Sequence, residues 1–170
     1  MIRFLILFLF LFLSNKVNSQ VIYCNPSGNE RECFYAYAAI KEYIKDTNVV
    51  VIFNQMEPLH EAFNGVTWAY SKELYVVNIS PWEKNPLRRI WIIFHEIGHV
   101  IDLYYGTLTQ FPTTWQGKLV ENDLPWEERP WEKSADEWAK RLWRQLMGED
   151  PPVFIDLQMI ISPKNNPVNH

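Results

Sequence analysis

The feature that most constrains the fold is a long apolar segment between Pro86 and Gly106. Proline favours the first position of a helix and glycine the residue just past its end, so the segment predicts a helix over residues 87–105. Apolar side chains lie nearly all round this helix at Ile90–Phe94, which is typical of a helix buried in the middle of a domain. The rest of the chain is therefore expected to pack round it.

The buried helix carries an H-E-x-x-H sequence, in which His95 and His99 are separated by four positions and Glu96 follows the first histidine. Helical residues four apart lie one turn apart on the same face, so both imidazoles can reach one tetrahedral Zn²⁺ at about 2.0–2.1 Å each. Glu96 lies about 100° round the helix, too far to be a ligand. It can face a water instead, so the motif predicts a zinc site with Glu96 as general base.

A catalytic zinc takes a third protein ligand, which must come from another segment. His60 and His170 lie on no rigid predicted element, and Asp102 cannot easily bend back from the same helix. That leaves the carboxylates after residue 120, among them Glu121, Glu127, Glu128 and Glu132. Glu132 is favoured because it starts the last predicted helix, because Asp136 follows one turn later, and because Ala135 permits close helix packing. Asp136 is expected to accept the free N–H of a ligand histidine.

The first 19 residues have the layout of a secretory signal peptide. Arg3 precedes an unbroken apolar run, Phe4–Leu13, and small residues stand at the −3 and −1 positions of a cut before Gln20. The run is short for a spanning helix, which needs about 20 apolar residues, and an uncleaved membrane anchor is the alternative. We therefore expect a secreted or periplasmic protein.

The two cysteines agree with that compartment, and the net charge limits the class of partner. Cys24 and Cys33 are expected to form a disulfide near the mature N-terminus, with metal ligation and free buried thiols as the alternatives. The formal charge of −4 argues against a general nucleic-acid-binding protein, which would be strongly basic. The chain length of 170 residues predicts one domain, residues 20–150, followed by a tail, 151–170, that has no assignment.

Local patterns give the order of the remaining elements. Three- and four-residue periodicity predicts helices over 30–45 and 131–147. β-Branched and aromatic runs predict strands over 48–53, 66–70 and 73–79, and residues 107–128 are expected to form a long loop. The order predicts an α+β domain with a three-stranded sheet.

The motif His95–His99, followed by Glu132-x-x-Ala135-Asp136, resembles the gluzincin branch of zinc metallopeptidases. Four segments in order are similar to the ImmA/IrrE-type metallopeptidase family: Gly65 with Tyr75–Asn78, Leu87–Arg89, Phe94–His99, and Glu132 with Ala135 and Trp138–Ala139. That resemblance implies a minimal zincin fold, a small three-stranded sheet packed on the buried active-site helix.

The same resemblance implies zinc ligation by His95, His99 and Glu132, with Glu96 as the base. It also implies that strand Leu74–Asn78 is the sheet edge that holds substrate. Members of that family are commonly cytosolic and act on transcriptional repressors, so the export signal argues against carrying over that substrate. Secreted zincins similar to anthrax lethal factor share the motif and fit the compartment.

The expected activity is that of a secreted zinc-dependent endopeptidase acting on a peptide or protein substrate. One alternative is a secreted binding module on a zincin scaffold, whose exposed rings would be Trp82, Trp115, Trp126 and Trp131. Another is an exported toxin or effector with one protein target. Candidates for the oxyanion donor are Tyr104, Tyr105 and His60.

Overall fold

A computed structural model describes residues 21–25, 30–46, 48–55, 64–121 and 123–152. The predicted signal peptide, His60, His170 and tail residues 153–170 lie outside this part of the chain. None of the helices in these ranges is long and apolar enough to cross a membrane.

The larger sheet has four strands, not three: β1 (Val21–Asn25), β2 (Val50–Gln55), β3 (Gly65–Ala69) and β4 (Leu74–Ile79). Their order is β1-β2-β4-β3, with β1, β2 and β4 parallel and β3 antiparallel to β4. The sequence prediction missed β1. Its five residues show no alternation of polar and apolar side chains, and its partner β2 lies far along the chain.

The strand that was expected to hold substrate is not at the edge. β4 lies between β2 and β3, so the edge nearest the buried helix is β3. The predicted hairpin of β3 and β4 is present, but the parallel pairing of β4 with β2 encloses its second strand. That pairing joins distant segments and leaves no local pattern in the sequence.

Three helices accompany the sheet: α1 (Glu30–Tyr43), α2 (Pro86–Tyr104) and α3 (Pro130–Met147). Asn85 caps α2 by accepting hydrogen bonds from two backbone N–H groups of its first turn. Every residue from Ile92 to Asp102 is buried, because α1, α3, β3 and β4 all contact this helix. The prediction of a central buried helix is therefore confirmed, as is the α+β class.

The segment predicted as a long loop, residues 107–128, contains a second sheet. Its strands are β5 (Leu108–Gln110), β6 (Thr113–Trp115) and β7 (Lys118–Leu119), and a 3₁₀-helix follows at Trp126–Glu128. Strands of two or three residues are too short to show alternation. Positive φ at Gln116 and Gly117 forms the tight turn between β6 and β7.

The predicted disulfide is confirmed. Cys24 of β1 is bonded to Cys33 of α1, with their Cα atoms 5.9 Å apart. The bond ties the first strand of the larger sheet to the first helix.

Candidate metal centre

Three potential metal ligands from two helices meet in the interior. Glu132 Oε2 lies 3.1 Å from Nε2 of His95 and 3.3 Å from Nε2 of His99. All three side chains are buried, and one ligand atom from each lies within 4.8 Å of the other two. The structure thus brings the H-E-x-x-H histidines together with the carboxylate that the sequence favoured.

The two distances to Glu132 are compatible with a tetrahedral zinc. Ligand atoms bound to a tetrahedral ion at about 2.0–2.1 Å lie about 3.3 Å from one another. The two distances to Glu132 match that edge length. Two imidazoles and one carboxylate are also a donor set that catalytic zinc sites use, with a fourth position left to water or substrate.

Close packing of α2 against α3 places Glu132 beside the histidines. A Cβ atom added to Gly98 would lie 2.8 Å from Cα of Ala135 and 2.9 Å from Cβ of Trp138. The glycine within the motif and the fully buried Ala135 therefore set how closely the two helices approach. Glu132 precedes Ala135 by almost one turn and so faces the motif.

Two contacts fix the orientation of His95. Its Nδ1 lies 2.8 Å from Oδ1 of Asp136, a contact in which the ring N–H donates to the carboxylate. On another side Trp126 stacks on the imidazole, with 16° between the planes and 6.1 Å between the centroids. A carboxylate on the far nitrogen of a ligand histidine holds the tautomer that leaves the other nitrogen free for metal.

The electrostatics of the group favour a bound cation. Burial acts to lower the pKa of His95, but hydrogen bonds to Asp136 and Glu132 and the charges of Glu96 and Glu132 raise it to about 10. Burial acts to raise the pKa of Glu132, but the two histidines hydrogen-bonded to it lower that pKa to about 2. A proton on His95 offsets part of the negative charge of these carboxylates, and a divalent cation in its place would offset more.

Glu96 is buried and held by the edge strand rather than by the ligands. The Thr67 hydroxyl donates to Glu96 Oε2 at 2.6 Å. A Cβ atom added to Gly65 would lie 2.5 Å from Glu96 Oε1, so glycine leaves the space that the carboxylate fills. Gly65 and Thr67 are two residues apart on one face of β3, and this face accommodates Glu96.

A cleft of about 340 Å³ adjoins the three-ligand group. Glu96, His99 and Glu132 line it together with the edge of β3. The second sheet and the start of α3 complete the wall with Leu108, Thr109, Gln110, Phe111, Thr113, Trp126, Arg129 and Trp131. The base candidate and two of the three metal-ligand candidates therefore share one open space.

Several residues considered from the sequence lie elsewhere. Glu121, Glu127 and Glu128 are exposed and outside the group of ligands. Tyr104 and Tyr105 do not line the cleft, and the Tyr105 hydroxyl donates to the carbonyl of Tyr43 at 2.7 Å. Two of the four tryptophans proposed for stacking, Trp126 and Trp131, line the cleft, whereas Trp82 and Trp115 do not.

Sequence reasoning missed three residues of the cleft: Thr67, Gln110 and Arg129. Thr67 could have been placed by alternation along its strand, which puts it on the same face as Gly65. Gln110 lies in the segment that was predicted as a loop, so no local pattern marked it. The Arg129 guanidinium lies 5.8 Å from the centre of the Trp126 ring, and Arg129 itself links the 3₁₀-helix to α3.

Comparison with known protein families, with curated proteins and with solved structures finds no match to this chain. Membership of the gluzincin branch or of the ImmA/IrrE-type family stays a prediction from the motifs.

Proposed function

We propose that this protein is a secreted zinc-dependent endopeptidase. The observation that carries the proposal is the convergence of His95, His99 and Glu132 beside an open cleft that Glu96 also lines. Buried ionisable groups with perturbed pKa values in a cleft are typical of catalytic sites. The disulfide between Cys24 and Cys33 agrees with export into an oxidising compartment.

In this proposal His95, His99 and Glu132 hold the ion, and Asp136 orients His95. Zinc in such a site supplies a Lewis acid for the scissile carbonyl and lowers the pKa of a bound water toward neutrality. Glu96 accepts the proton of the attacking water and donates it to the leaving amine. Thr67 keeps the carboxylate of Glu96 in the orientation that this transfer needs.

Trp126 and Trp131 give the cleft aromatic walls, and the β3 edge offers backbone groups to an extended peptide. The proposed substrate is therefore a peptide segment in extended conformation, bound beside β3. Among the described residues that line the cleft, Arg129 is the one cationic side chain besides histidine. Its charge can stabilise the negative charge that develops on the carbonyl oxygen in the transition state.

The test is hydrolysis of a mixed peptide library by the zinc-loaded mature protein, with Glu96→Gln as the matched variant. We expect cleavage by the parent and loss of about 10²–10⁴-fold in rate in the variant, with zinc content unchanged. Equal rates in the two proteins would contradict the assignment of Glu96. A protein that binds zinc and peptides but cleaves nothing would instead support the binding-module alternative.

A further inference from the structure

Strand β3 has one side free for pairing within the described part of the chain. Alternate residues of an antiparallel strand direct their N–H and C=O groups to opposite sides. The Asn64 carbonyl accepts from Ser80 N–H at 2.8 Å, and Tyr70 N–H donates to the Leu74 carbonyl at 2.9 Å. Even-numbered residues therefore pair with β4, and the free edge carries the backbone groups of Gly65, Thr67 and Ala69.

The Gln110 side chain already bonds two of the six backbone groups on that edge. Its Nε2 donates to the carbonyl of Thr67 at 2.8 Å, and its Oε1 accepts from the backbone N–H of Ala69 at 2.8 Å. These are the two groups that a neighbouring strand would use opposite this stretch of β3. One amide side chain thus occupies the positions of an N–H and a C=O group of a paired strand.

Gln110 is held in that position by its own sheet. Its backbone pairs with Thr113 across β5 and β6, and the Thr113 hydroxyl donates to the Gln110 carbonyl at 3.2 Å. Leu108, two residues earlier, is buried and anchors β5. Because the backbone of Gln110 is fixed in this sheet, ordering its side-chain amide against β3 costs less conformational entropy.

We propose that Gln110 sets the length of substrate that the cleft accepts, an inference that rests on the proposed peptidase function. An extended peptide pairs with the Gly65 carbonyl and the Thr67 N–H, next to Glu96. Further pairing toward Ala69 is blocked by the Gln110 amide. The substrates are therefore peptides with few residues between the scissile bond and the end that runs toward Ala69.

Amide hydrogen exchange tests the geometry without any hydrolysis. Zinc-loaded Glu96→Gln protein is mixed with an excess of a library peptide that the parent cleaves or, failing cleavage, of the library itself. We expect peptide to slow exchange at Thr67 N–H and to leave Ala69 N–H as protected as in the free protein. In Gln110→Ala, exchange at Ala69 should rise about tenfold or more in the free protein.

Peptide length supplies the second test. A series extended stepwise from either end is cleaved by the parent, by Gln110→Ala, and by Lys118→Ala as a control on the exposed last strand of the same sheet. We expect Gln110→Ala to raise kcat/KM about tenfold for peptides lengthened at one end only. The control and the short peptides should change less than about twofold, and Gln110→Glu, which keeps an acceptor for Ala69, should fall between.

Length-independent effects of Gln110→Ala would overturn the inference, as would peptide binding that leaves Thr67 N–H exchanging freely. A change in Ala69 protection in either direction on adding peptide to the Glu96→Gln protein would also overturn it, because the Gln110 amide would then no longer be the group bonded to that N–H. Failure of the proposed function alone has a different signature. No peptide is then hydrolysed, while the exchange pattern at Thr67 and Ala69 is still obtained.

Discussion

At the scale of single residues, the site gathers four buried ionisable side chains at one helix contact: His95, Glu96, His99 and Glu132. Asp102, which accepts a hydrogen bond from Trp138, is a further buried acid at the same contact. Burying charges costs free energy, and replacing them with apolar residues often stabilises a protein. Their presence at one point, with Thr67 and Asp136 bonded to them, is the observation on which the proposed function rests.

If Glu96 is the general base, as proposed, the Thr67 hydroxyl orients it, and removal of that hydroxyl should slow the chemical step. Thr67→Val keeps the shape and loses the hydrogen bond to Glu96, a bond to a charged group that contributes about 1.5–3 kcal/mol. We expect kcat to fall about 10- to 100-fold with KM unchanged, and Thr67→Ser to restore most of it. Steady-state kinetics on one good peptide measures this, and a rise in KM at constant kcat would argue against orientation.

In the proposed zinc site Asp136 acts through His95, so its loss should weaken zinc binding and leave the three candidate ligands intact. Asp136→Ala removes the carboxylate 2.8 Å from Nδ1, and loss of such partners typically costs 10- to 100-fold in metal affinity. Competition with a chromophoric chelator gives the affinity. Glu137→Ala, on the adjacent solvent-exposed position, is the matched control. Unchanged affinity in Asp136→Ala would show that this contact does not orient the ligand.

At the scale of elements, the approach of α2 to α3 assembles the centre. Two ligands lie on α2 and the third on α3, so the site depends on how closely Gly98 and Ala135 pack. This part was predictable, because the helical periods, the opening prolines and the small residues are local signals. The edge position of β3 was not predictable, because it depends on the pairing of β2 with β4.

A larger side chain at the helix contact should therefore disrupt the centre without touching a ligand. Ala135→Leu forces α3 away from Gly98, and overpacking of this kind costs about 1–3 kcal/mol in stability. We expect zinc affinity to fall at least about tenfold in the folded variant. Lys133→Leu adds the same side chain on the exposed face of α3 and should bind zinc as the parent does. Parent-like affinity in Ala135→Leu would mean that the helix spacing does not position Glu132.

At the scale of the whole molecule, the sequence pattern established the class of fold and the central helix. It did not reveal the second sheet, whose strands are too short to alternate, nor β1, whose partner lies far along the chain. The second sheet shapes the cleft by supplying Gln110 and Phe111, whereas β1 carries one end of the disulfide and none of the described lining residues. Candidate ligands were thus readable from local spacing, whereas the substrate-facing wall depends on tertiary pairing.

The stability of the whole chain should depend on pH differently with and without metal. In the metal-free fold the pKa of His95 is raised to about 10, against about 6.5 in the unfolded chain. Its contribution to stability is complete below pH 6.5 and is lost as the pH rises through 10. We expect the chelated protein to lose unfolding free energy between pH 7 and 10, measured by denaturant titration.

Saturating zinc should abolish or reverse that loss, because the ion binds neutral His95 and stabilises the folded state. Glu132, whose pKa is lowered to about 2, affects the unfolding free energy in the acid range instead. Its contribution is present above pH 4.5 and is lost as the pH falls through 2. The same alkaline loss with and without zinc would show that His95 does not bind the ion.

The central claim, a zinc ion held by His95, His99 and Glu132, is tested most directly by zinc content. Elemental analysis of the purified mature protein should give about one zinc per chain. Glu132→Ala should lose most of it, whereas Glu137→Ala, a substitution on the exposed side of the same helix, should keep it. A parent without zinc, or full occupancy in Glu132→Ala, would contradict the account.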